Sequence, residues 1–133
     1  MTFSDISRTF KIVIAASLMA ISTWASALEI KPFSPDAFAE IQQQGKPVAV
    51  HFHANWCPTC IRQAKSLNGL KTDPQLQNMT VLVADYDQEK DLRKNMKVRS
   101  QSIIVVFKGT QEITRVNGKT RADDIKAELV KAM

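Results

Sequence analysis

Cysteine is nearly absent from this 133-residue chain, which has only Cys57 and Cys60. The multi-bridge framework that staples small secreted domains is therefore excluded, and two cysteines by themselves leave a metal site incomplete. There is no basic block interleaved with aromatic residues. Lys and Arg are scattered among acids, so nucleic-acid binding has no support. No apolar run reaches the ~20 residues of a membrane-spanning helix. No segment repeats, and no low-complexity linker divides the chain. One compact domain follows. Proline stops at Pro74, and none follows it.

The amino terminus stands apart. Arg8 and Lys11 precede an apolar run from Ile12 to about Trp24, and Ala25-Ser26-Ala27 follows. A charged start, a short apolar stretch and an A-x-A site are the marks of a cleavable secretory signal peptide over residues 1–27, with the mature domain at 28–133. An uncleaved membrane anchor is disfavoured by the shortness of the run, and no cysteine lies near the site to carry a lipid. Cleavage after Ala27 removes Arg8, Lys11 and Asp5 from totals of 18 basic and 13 acidic residues, leaving 16 against 12 and a net charge of +4. The expected location is a bacterial periplasm, where disulfides persist.

Local signals set the element order. Ser34 can cap a helix that has Pro35 at its first position and Asp36 in its first turn, and Gly45 ends it. Residues 47–54 (PVAVHFHA) form a short, nearly all-apolar run, as a central buried strand requires. From Cys57 a helix is expected, with Pro58 tolerated in its first turn and Ile61, Ala64, Leu67 and Leu70 as its apolar stripe. Residues 79–85 form a second buried strand, 88–96 a charged surface helix, and 102–107 and 111–116 a hairpin. Thr120 is expected to cap a last helix, with Asp123 three residues on and Ile125, Leu129 and Val130 facing inward. A small strand at 28–30 completes the set. Strands that first alternate with helices and then pair antiparallel predict an α/β domain, a mixed sheet of four to five strands with helices on both faces.

In HANWCPTC (53–60) the cysteines stand three apart, a spacing open to a redox disulfide, half a metal site or two small core residues. A bridge closing so short a loop removes little entropy from the unfolded chain, so it would be a poor staple. At a helix start, unpaired backbone N–H groups and the helix dipole favour a thiolate at Cys57. Cys57 is thus expected to be an exposed nucleophile. Cys60, one turn along the same face and more interior, is the resolving thiol. The chemistry is thiol–disulfide exchange through a Cys57–Cys60 disulfide, with a mixed disulfide as intermediate.

HFHANWCPTC after a buried strand, VRSQSIIVVFKG before the hairpin and the closing amphipathic helix resemble the thioredoxin-like family over essentially all of residues 30–132. The resemblance implies a thioredoxin fold and the activity of an exported protein-disulfide oxidoreductase. It also implies partners that are protein thiols and disulfides, no cofactor, no resident metal and a monomer. Trp56 would shield the disulfide and contact partners, and Pro58 and Thr59 would tune the potential.

Three positions depart from the family. His51 stands where thioredoxins carry a buried aspartate that relays a proton to the resolving cysteine, which makes His51 a possible general base. His53, two residues on and on the same face, is assigned to packing. Ser102 occupies the place of the family's cis-proline, whose preceding backbone pairs with substrate as an added strand. Gln101 would offer that backbone here and Ser102 a hydroxyl. Lys65 replaces a helix-kinking proline.

The leading expectation is a periplasmic reductase fed by a membrane-embedded electron donor. The alternative is a module binding Cu(I) or Zn²⁺ through Cys57 and Cys60 with His51 or His53.

Overall fold

The computed structural model describes residues 27–133, so the expected signal peptide, apart from Ala27, lies outside the described residues. Five strands form one sheet: β1 (Glu29–Pro32), β2 (Pro47–His53), β3 (Thr80–Asp85), β4 (Ile103–Lys108) and β5 (Gln111–Asn117). Their spatial order is β1-β3-β2-β4-β5. β3 runs parallel to both β1 and β2, whereas β4 is antiparallel to β2 and to β5. The centre of the sheet is β2, buried on both faces down to Phe52, which is why PVAVHFH carries no polar alternation.

Four helices cover the sheet: α1 (Pro35–Gln43), α2 (Pro58–Gly69), α3 (Lys90–Asn95) and α4 (Ala122–Leu129). On one face Ala49, Val81, Ile104 and Val116 pack against Leu67 of α2 and Ile125 and Leu129 of α4. On the other, Val48, Val50, Phe52, Val105 and Phe107 meet Ile41 and Phe38 of α1 and Leu92 of α3. Each fully buried Leu, Ile or Phe among them contributes on the order of 1.5–3 kcal/mol.

The start of α1 follows its signals. Ser34 Oγ accepts from Ala37 N–H, Pro35 is the first helical residue, and Gly45 takes a φ of +67° just past the end. Two local expectations are corrected. Thr120 does not cap α4. Arg121 is the cap residue and makes no side-chain cap bond, while Thr120 gives its carbonyl to Ser66 Oγ. Asp123 and Asp124 in the first turn supply the favourable charge instead. Ile61 is exposed rather than part of the inner stripe of α2, which consists of Cys60, Gln63 and Leu67, with Leu70 buried at the cap. No helix among the described residues is long and apolar enough to cross a membrane.

Candidate active site

β2 ends at His53, and the chain turns through Asn55 and Trp56 so that Cys57 opens α2. Cys57 is the N-cap: its sulfur accepts the backbone N–H of Cys60 at 3.2 Å, as a serine or aspartate oxygen would elsewhere. Pro58 is the first residue of the helix, where its missing N–H breaks no intrahelical bond. Both cysteines are free thiols, and both are buried. The expected exposed nucleophile is corrected on this point. Cys57 is only 3% exposed, packed with Ala54, Cys60 and Tyr86 and in contact with Ser102 Oγ, while the neighbouring Trp56 is 61% exposed.

Ser102 lies across from the pair, just before β4, and is itself 4% exposed. Its hydroxyl is 3.2 Å from Cys57 Sγ and 3.0 Å from Cys60 Sγ. Its φ of +64° lies in the left-handed region that non-glycine residues rarely adopt. The backbone is pinned there by three bonds: its N–H donates to Phe52 O at 3.1 Å, and its carbonyl accepts from Gly118 N–H at 2.9 Å and from Gln63 Nε2 at 3.0 Å. A proline at this position would have no N–H for the first of these.

The two thiols are driven apart in acidity. At Cys57 burial opposes ionisation. The Cys60 thiol, the Ser102 hydroxyl and the backbone N–H groups of Cys60 and Thr59 outweigh it, and the net shift is downward. At Cys60 burial and the proton it holds toward Cys57 raise the thiol, with the Ser102 hydroxyl offsetting part of the rise. One sulfur is thereby prepared as nucleophile and the other kept protonated.

Gln63, which sequence reasoning missed, connects the remaining parts. It is fully buried, one turn beyond Cys60, and its amide donates to Ser102 O and to Lys119 O at 2.9 Å. With both amide hydrogens committed, its Oε1 is an acceptor, so the 3.1 Å contact with His51 Nε2 places the ring hydrogen on Nε2. The spacing 60, 63, 67, 70 carried the signal, but a glutamine does not score as a core residue.

His51 is 1% exposed, and its pKa is lowered from 6.5 to about 4, by burial first and by the neighbouring His53 second, against the Gln63 bond. Neither of its ring nitrogens is hydrogen-bonded to a sulfur. His53 packs edge-on against it, centroids 5.4 Å apart, and pairs with Asn55 Oδ1 at 3.2 Å. Trp56 Nε1 donates to Asp87 Oδ2 at 2.7 Å, a partner not foreseen from the sequence. Pro58 is exposed and Thr59 half-buried beside Cys57. Gln101 is half-buried, and no hydrogen bond among the described residues uses its backbone. Among the described residues no group of three or more His, Cys, Asp or Glu side chains is placed to hold a metal ion.

Comparison with known proteins agrees with this geometry. The chain is 31% identical over 81 residues to the bifunctional thioredoxin reductase/thioredoxin of Mycobacterium leprae, a match covering 61% of this chain and 18% of that protein. It is 30% identical over 79 residues to the thioredoxin of Mycobacterium bovis, covering 59% of this chain and 67% of the relative. The crystal structure of Trxlp from Edwardsiella tarda EIB202 superposes with a TM-score of 0.73 at 31% identity, over 76% of this chain and 98% of that one. The thioredoxin family profile matches residues 29–131, from the first residue of β1 almost to the carboxyl terminus, and so this chain belongs to the thioredoxin family and is a thiol–disulfide oxidoreductase.

Proposed function

We propose that the mature domain works in the periplasm as a reductase of protein disulfides, as a monomer recharged by a membrane-embedded electron donor. The observation that carries the reading is the asymmetric dithiol at the start of α2, with the Cys57 thiol lowered and the Cys60 thiol raised. Cys57 attacks one sulfur of a partner disulfide, and Cys60 then displaces the partner. The donors to the Cys57 sulfur are the Cys60 thiol, a hydroxyl and backbone N–H groups, with no cationic side chain among them. That modest set favours a reductant, because a strong oxidant depends on heavy stabilisation of its thiolate. The leader expected over residues 1–27 supports export.

Trp56 and Pro58 present an exposed apolar rim beside the sulfurs, Thr59 lines it, and the unpaired backbone of Gln101 offers an extended substrate segment a place to pair. His51 serves as a buttress. Its ring proton is committed to Gln63, an amide that does not pass protons on, so the base role suggested by its strand position has no hydrogen-bonded path to Cys60.

The test is the equilibrium reduction potential of Cys57–Cys60 in residues 28–133, in anaerobic thiol–disulfide buffers with chelator. Trp56, the only tryptophan of that segment, reports it by fluorescence. A value near the ~−270 mV of thioredoxin is expected, and one near the ~−120 mV of the strong periplasmic oxidant would overturn the direction.

A further inference from the structure

A residue held against its backbone preference in the reacting centre calls for a reason. Glycine would adopt the φ of +64° at position 102 at no steric cost, and the three backbone bonds that pin the position need no side chain. What serine adds is its hydroxyl. Among the described residues that hydroxyl is hydrogen-bonded only to Cys57 Sγ at 3.2 Å and Cys60 Sγ at 3.0 Å. A hydroxyl has one hydrogen to donate and two lone pairs with which to accept. It can therefore donate to only one sulfur at a time while accepting from the other.

We infer that Ser102 is a catalytic residue whose hydroxyl serves the two sulfurs in turn, donating to whichever one is the thiolate at each step. This deepens, and rests on, the reading of the pair as a dithiol that reduces protein disulfides. In the resting dithiol the Ser102 hydroxyl donates to Cys57 Sγ, the sulfur prepared as nucleophile, while Cys60 keeps its proton with its sulfur 3.0 Å from the same hydroxyl. The Cys57 thiolate then forms a bond to one sulfur of the partner disulfide, and the other partner sulfur leaves as a thiolate that takes a proton from water. Cys57 is now uncharged and no longer competes for the hydroxyl hydrogen.

Rotation about a single bond points that hydrogen at Cys60, a motion fast on the timescale of exchange. Cys60 attacks Cys57 Sγ and gives up its proton as it does so. The Cys57–Cys60 bond forms, the bond from Cys57 to the partner breaks, and that proton passes to the departing partner sulfur. Two electrons have passed from the dithiol to the partner disulfide, and no further reactant is needed.

The experiment titrates each sulfur separately, with Ser102→Gly as the variant because glycine suits the positive φ and is expected to fold as stably as the parent. Cys57 is followed in the reduced protein by the pH dependence of iodoacetamide alkylation. Cys60 is followed in a Cys57→Ala background, where it is the only thiol. A hydrogen bond to a charged acceptor is worth enough that removing the hydroxyl is expected to raise both thiol pKa values by about one unit, cutting the thiolate fraction at neutral pH about tenfold. A rise at Cys57 with no change at Cys60 would overturn the alternating role, as would no change at either. Ser102→Ala, which keeps Cβ, is measured alongside and is expected to behave as Ser102→Gly does. These titrations read the hydroxyl whether or not the protein turns over, so their failure is distinct from a failure of the redox measurement.

Discussion

Gln63 Nε2 donates to the carbonyl of Ser102 at 3.0 Å, tying the helix that carries the cysteines to the loop that faces them. The same amide holds the carbonyl of Lys119 ahead of α4 and receives the ring hydrogen of His51 from β2. One buried side chain thus joins four segments directly beneath the sulfurs. In this protein a glutamine and a serine N–H do the positioning for which the resemblance would supply a proline.

Replacing Gln63 by methionine keeps the volume but leaves two carbonyls and the His51 ring hydrogen without this partner. Unsatisfied buried groups cost about 1–3 kcal/mol each, although Ser102 O keeps its bond from Gly118. A loss of about 3 kcal/mol in urea unfolding is expected, together with slower exchange. A loss within about 0.5 kcal/mol, the range of an ordinary surface change, would show that the amide network contributes nothing.

Restoring the family residue should harm this protein. Ser102→Pro removes the N–H that bonds Phe52 O and demands a φ near −65° where the chain has +64°. The expected cost in chemical denaturation is about 3 kcal/mol. Unchanged stability would mean that the loop accepts the proline by refolding locally.

The buried His51 makes stability depend on pH in a defined window. Its folded pKa of about 4 lies below the ordinary 6.5, so between these values the unfolded chain binds more protons, and stability falls as the solution is acidified. Relative to pH 8 the loss attributable to His51 is about 2 kcal/mol by pH 5. His51→Asn should flatten this part of the profile. Asp73 and Glu128, whose carboxyl pKa values are lowered by their lysine partners, lose their contribution only at more acidic pH.

Trp56 should matter for proteins more than for small disulfides. It is exposed beside a nucleophile that is itself buried, and Asp87 holds its indole in place. Trp56→Ala is expected to slow reduction of insulin about tenfold, the scale of an interface anchor, with hydroxyethyl disulfide affected much less. Equal losses on both substrates would assign the indole to the sulfur chemistry rather than to docking.

The leader is tested by mass. Protein recovered from a bacterial periplasm should begin at Leu28, and recovery of the intact chain from the membrane would mean that residues 1–27 stay attached.

Much of this protein is determined by local sequence. The apolar run at 47–54, the serine and proline that start α1 and the glycine that ends it, and the hairpin at 103–117 are short-range signals whose physics acts within a few residues. The cysteine pair at a helix start belongs with them, since capping and the helix dipole are set by the adjoining turn. Where a local signal failed, a longer-range contact prevailed. Thr120 surrendered its carbonyl to Ser66, and the inner face of α2 rotated from Ile61 toward Gln63 because a buried amide there satisfies three polar groups at once.

Tertiary structure alone decided what surrounds the sulfurs. Nothing near Ser102 in the chain indicates that its hydroxyl bridges residues 57 and 60, that its backbone turns left-handed, or that the route from His51 ends on an amide. Those facts depend on the register that sets Phe52 beside Ile103 across β2 and β4. Register comes from the packing of two whole sheet faces, a sum over many distant side chains that no single stretch of sequence contains.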